Sequence, residues 1–116
     1  MTGSTAALRA RSQVEYDLGP AQAIPVGEGR QFQVGELLIA VFRTRLGVVY
    51  ATQARCPHQR GPLADGLVDE QLVVCPLHAF KFSLASGAAV GHACGALETY
   101  PVRLSPSGAI LVSVPR

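Results

Sequence analysis

Apolar and polar positions alternate with a period of two along much of this chain, and no long stretch follows the 3.6-residue period of an amphipathic helix. Val14, Tyr16 and Leu18 alternate with Glu15 and Asp17, which predicts a half-buried strand ended by Gly19-Pro20. Gly27 to Gly29 marks a turn before Phe32 and Val34. Leu37 to Phe42 is a continuous apolar run of strand length, and Gly47 turns the chain into a hairpin partner at Val48–Ala51. Asp69-Glu70 is a polar turn leading into a strand at Leu72-Val73-Val74. Phe80 and Phe82 then alternate with Lys81 and Ser83, and Ser86-Gly87 turns the chain again. Leu97 to Leu104, Ser105 to Gly108 and Ala109 to Val114 predict a closing hairpin. The pattern is that of an all-β domain over residues 13–116, preceded by an Ala-, Ser- and Thr-rich segment at residues 1–12 that reads as a flexible tail.

Composition narrows the picture. At 116 residues, with 48% hydrophobic and 16% charged residues, the chain has the makings of one compact domain rather than a disordered segment. A net charge of +2 is too small to imply a nucleic acid or an acidic membrane surface as partner. No apolar stretch is long enough to span a bilayer, and no apolar segment of signal-peptide type follows Arg9 and Arg11. Three cysteines make no disulfide framework and fit a reducing cytoplasm. No glycine-rich phosphate-binding motif is present.

The chemistry is concentrated in two short runs, Cys56-Pro57-His58 and Cys75-Pro76-Leu77-His78. Each pairs one thiol with one imidazole, and the sixteen residues between His58 and Cys75 suffice for a hairpin. A single intervening residue lets Cys56 and His58 project the same way, because extended side chains alternate. Pro57 and Pro76 each remove a backbone donor and fix φ just after the thiol, which stiffens both loops. Gly61-Pro62 suits a sharp turn close to a bound group, and exposed amides in such loops can donate to bridging sulfides. Two cysteines and two histidines form the ligand set of a mixed-ligand [2Fe–2S] cluster, with one iron facing thiolates and the other imidazoles. The rival is a structural zinc site, as in a zinc-stabilised interaction module. Zinc sites usually group each ligand type in its own pair, whereas both runs here mix them.

These residues carry a family resemblance. Cys56-Pro57-His58, Gly61-Pro62-Leu63, Gly66 and Cys75-Pro76-Leu77-His78 resemble a Rieske [2Fe–2S] protein, and the likeness continues through Phe80-Lys81-Phe82 and Gly87 to Thr99-Tyr100-Pro101-Val102. It spans residues 14–114 or thereabouts. It implies an antiparallel sandwich or barrel with a small cluster-binding subdomain of two loops. It also implies that Cys56 and Cys75 bind an inner iron and His58 and His78 an outer, more exposed one. Respiratory members carry an additional cysteine in each loop, forming a disulfide, and a serine two residues past the second histidine. This chain has Leu77 and Phe80 at the corresponding second-loop positions. Without that hydroxyl donor the potential is expected in the lower part of the Rieske range, about −150 to +300 mV. A third family segment, a Pro-containing loop, would fall near 91–97, where this sequence has His92-Ala93-Cys94 and no proline.

The resemblance implies an electron carrier with no catalytic residues of its own. A Rieske oxygenase would need a second iron domain, for which no sequence remains after Arg116. Gly61 to Gly66 and Glu98 to Arg103 look like the small subunit of an assimilatory NAD(P)H-dependent nitrite reductase, implying a large flavin- and sirohaem-containing partner. The alternative is the ferredoxin component of an aromatic-ring-hydroxylating dioxygenase, implying a flavin reductase and a terminal oxygenase. Arg55, Arg60 and Lys81 flank the ligand runs, and solvated surface charge is the simpler account of them beside contact with an acidic partner. Cys94 and His92 are spare to a complete ligand set, and Tyr100 reads as strand packing.

Overall fold

The computed structural model describes residues 13–57, 60–77, 79–91 and 95–115. The expectation of a flexible tail at 1–12 lies outside the described residues. So do His58, His78, His92 and Cys94.

Eleven strands form three antiparallel sheets, and no α-helix occurs among the described residues. The strands are β1 (Gln13–Pro20), β2 (Glu28–Val34), β3 (Leu37–Arg43), β4 (Val49–Gln53), β5 (Leu67–Val68), β6 (Leu72–Val74), β7 (Lys81–Ser83), β8 (Ala89–Val90), β9 (Thr99–Tyr100), β10 (Val102–Leu104) and β11 (Ala109–Pro115). The first sheet has the order β1-β11-β10, the second β2-β3-β4-β9 and the third β5-β6-β7-β8.

The continuous apolar run in β3 has a simple cause. Alternate side chains of a strand point to opposite faces, and both faces of β3 are buried. Ile39 and Val41 enter a core shared with Ile110, Val112 and Val114 of β11. Ala40 and Phe42 enter a second core with Leu63, Val73, Phe82, Leu84 and Leu97. The second sheet is therefore a wall between two apolar layers. Cys56 and Cys75 belong to the second layer.

Gly19-Pro20 ends β1 as the pattern implied, with a register shift between Asp17 and Pro20, where Gly19 takes φ +92°. Two expectations are corrected. Gly29 is not part of a turn. It pairs with Phe42 inside the β2–β3 ladder, and a Cβ there would lie 2.6 Å from the Phe42 ring. Glycine is needed because the aromatic side chain crosses its backbone. Finally, Leu97 to Leu104 is not one hairpin arm. The chain changes sheets at Pro101, so that β9 pairs with β4 and only β10 pairs with β11.

Candidate metal centre

Cys56 and Cys75 stand at the first position of two loops with the same construction. In the first loop the Cys56 amide donates to the Gly61 carbonyl at 2.9 Å, and an isolated bridge between Arg55 and Pro62 flanks the loop. In the second the Cys75 amide donates to the Phe80 carbonyl at 2.7 Å, flanked by the Val74–Lys81 pair of β6 and β7. Each closure therefore spans from the cysteine to the fifth residue after it. The fourth residue is left-handed in both, Arg60 at φ 61° and Ala79 at φ 57°. These are the two non-glycine residues with positive φ among the described residues. Such a conformation costs about 1–2 kcal/mol for a residue with a Cβ, and strain of this kind is retained where a local geometry is needed.

The loops meet. A Cβ on Gly61 would lie 3.0 Å from Cys75 Sγ and 3.0 Å from Leu77 Cγ. The glycine of one loop thus leaves the space that the thiol and the leucine of the other occupy. Leu77 contributes an apolar contact between the loops. Both thiols are nearly inaccessible, at 1% and 2% exposure, while Pro57, Pro76 and Leu77 face outward.

Of two supporting groups, one was not legible in the sequence. Glu70 looked like part of a polar turn, yet its carboxylate accepts from the Arg45 amide at 2.8 Å and from the Leu46 amide. It ties the third sheet to the β3–β4 turn of the second. Asp69 Oδ1 accepts from the amides of Gln71 and Leu72, which closes the β5–β6 turn. No spacing signal distinguishes the first of these roles, because it joins residues far apart in sequence.

Around the loops the charge is basic. Arg55, Arg60 and Lys81 are exposed. Arg55 is not merely solvated, since its Nη1 donates to the Arg60 carbonyl at 3.4 Å and braces the first loop. Arg30 and Arg55, with Asp65, line a groove of about 480 Å³ beside that loop. Tyr100 is held above its ordinary pKa, first by burial and then by the Glu98 carboxylate. It packs against the first core, as its strand pattern implied.

The model of the Rieske [2Fe–2S] domain matches residues 14–101. The chain belongs to this family. A Rieske domain binds a [2Fe–2S] cluster, and the described part of the site fits that group: two buried thiols on two closed loops in contact, with a glycine beside one sulfur. The 3-phenylpropionate/cinnamic acid dioxygenase ferredoxin subunit of Escherichia coli (strain K12) is 36% identical over 98 residues, covering 83% of this chain and 90% of that protein. Among solved structures, the Sphingomonas yanoikuyae B1 ferredoxin superposes with a TM-score of 0.76 at 28% identity, covering 88% of this chain and all of that one (100%). A putative NADH-dependent nitrite reductase small subunit from Mycobacterium tuberculosis superposes with a TM-score of 0.83 at 23% identity, covering 90% and 97%; at that identity the likeness is one of fold. Among the described residues of this Rieske chain, no helix is long and apolar enough to cross a membrane.

Proposed function

We infer that this protein is a one-electron carrier whose [2Fe–2S] cluster is ligated by Cys56 and Cys75 on one iron and by His58 and His78 on the other. The observation that carries the reading is the matched pair of loops, each closed on its cysteine and packed against the other at Gly61. When bound, the cluster supplies a reversible one-electron couple. The chain's own residues then hold the inner end dry. Cys56 and Cys75 lie among Phe42, Leu63, Val73 and Phe82, while in sequence His58 follows the exposed Pro57 and His78 follows the exposed Pro76 and Leu77. A reducing cytoplasm suits such thiols.

As to partners, the 36% identity with a dioxygenase ferredoxin subunit over nine-tenths of its length favours a flavin reductase as electron donor and a terminal oxygenase as acceptor. The second reading is a small subunit beside a flavin- and sirohaem-containing nitrite reductase, with a role in nitrate assimilation. It rests on the resemblance of the segments at 61–66 and 98–103.

The test has two steps. Anaerobic reconstitution with iron and sulfide should give a coloured protein, and Cys56→Ser, Cys75→Ser, His58→Ala and His78→Ala should each lose the cluster absorbance while wild type keeps it. Full absorbance in any of the four, or a colourless protein with stoichiometric zinc, would contradict the ligand assignment. Reduction of the cluster by NADH through a dioxygenase-type flavin reductase, and not through the nitrite reductase large subunit, then selects the first partner reading; the reverse selects the second.

A further inference from the structure

The third sheet has an outer face that its hydrophobicity does not match. Strand register aligns Leu67, Val74, Lys81 and Val90 in one row across all four strands. Directly paired residues of antiparallel strands project to the same side. The next row, Val68, Val73, Phe82 and Ala89, projects the opposite way and packs in the second core. The first row therefore faces out. Leu67 is 76% exposed and Val90 40%, positions where a half-buried sheet ordinarily carries polar side chains.

The row's place in the fold says what covers it. It is the row nearest the second ligand loop, since Val74 directly precedes Cys75 and Lys81 directly follows Phe80. Leu77 in that loop is a further exposed apolar residue at 42%. The local charge is cationic, from Lys81 in the row and Arg60 on the adjoining loop. The carboxylates of Asp69 and Glu70 lie at the opposite end of the sheet, engaged with backbone amides. Asp65 lines the groove with Arg30 and Arg55.

We propose that the outer face of β5–β8 is the docking surface for the redox partner, with Leu67 and Val90 as apolar anchors on either side of Lys81. The partner is a redox protein whose contact surface is apolar at the centre and carries carboxylates at its edge. The proposal rests on the electron-transfer reading. A partner seated there stands next to the peptide that leads into Cys75, so one contact serves both recognition and electron passage. Exposed apolar patches beside a redox centre suit a small, transient interface.

The experiment uses the full-length, cluster-loaded chain and its Leu67→Gln and Val90→Gln variants. Cluster reduction is followed by stopped-flow absorbance with dithionite, with a dioxygenase-type flavin reductase and with a flavin- and sirohaem-containing nitrite reductase subunit, each protein driven by NADH. With whichever protein reduces wild type, each variant is expected to lower the second-order rate by about tenfold, the scale of losing one apolar anchor, with dithionite reduction unchanged. Lys81→Glu is expected to lower that rate further and to reverse its salt dependence. Unchanged partner rates in both glutamine variants overturn the docking face, while normal dithionite reduction leaves the Rieske reading standing. Reduction of wild type by neither protein also overturns it. Wild-type dimerisation in analytical ultracentrifugation that Leu67→Gln abolishes, with partner rates unchanged, makes a second copy the occupant and overturns it as well.

Discussion

At the scale of single residues the site depends on what fits beside the sulfurs. A methyl group at position 61 would stand 3.0 Å from both Cys75 Sγ and Leu77 Cγ, a separation at which the sulfur or the leucine must give by a few tenths of an ångström. Overpacking of this kind costs about 1–3 kcal/mol, and here the strain falls on the junction of the two loops. Gly61→Ala is expected to shorten the lifetime of the bound cluster, read as the loss of visible absorbance over time in the presence of an iron chelator. A lifetime equal to wild type would contradict the loop contact. Tyr100 gives a second residue-scale prediction. Its pKa is raised from 10.0 by burial and by Glu98, so the fold favours the protonated phenol. The stability this contributes is intact below the unfolded value near 10 and is lost as pH rises through the higher folded value. Denaturant titrations should show wild type losing stability more steeply than Tyr100→Phe above that point; superimposable profiles would contradict the shift. The ligand runs were legible in the sequence because metal chemistry restricts residue type and spacing together. The left-handed Arg60 and Ala79 were not, because neither residue type favours that conformation and the loop closure imposes it.

At the scale of elements, the strands that could be read in advance are those with a strong burial pattern. β1 and β11 alternate because one face of each is buried, and β3 is uniformly apolar because it separates two cores. β5 and β8 are not legible in the sequence because a strand of two residues has no period. The switch of sheets at Pro101 was hidden for a different reason. Both β9 and β10 look like strands, and their separate pairings with β4 and β11 depend on contacts distant in sequence. Gly29 shows how a correct signal can be assigned to the wrong cause, since its glycine serves the Phe42 ring rather than a turn. Gly29→Ala is expected to destabilise the protein by about 1–3 kcal/mol, through displacement of Phe42 from the core that holds both cysteines. Denaturant unfolding measures this directly, and a loss under about 0.5 kcal/mol, the range of ordinary surface substitutions, would count against the close approach.

At the scale of the molecule, a two-sheet base supports a third sheet whose β6–β7 connection is the second ligand loop, while the first loop joins β4 of the base to β5. Phe42, from the base, and Phe82, from the third sheet, share a core with the two thiols, and Glu70 links the two parts at the far end. The cluster end is thus rigidly mounted, basic and partly apolar, which suits a relay that must meet other redox proteins. In the proposed site two imidazoles and two thiolates hold one [2Fe–2S] cluster without a hydroxyl donor two residues past His78, where Phe80 stands. Histidine ligation raises the potential above that of an all-cysteine cluster, and loss of a donor to the sulfides lowers it within the Rieske range. A potentiometric titration of the purified, reconstituted protein tests this most directly. The expected result is one reversible one-electron transition in the lower part of about −150 to +300 mV. A midpoint near the roughly −400 mV of plant-type ferredoxins, or no redox transition at all, would contradict it.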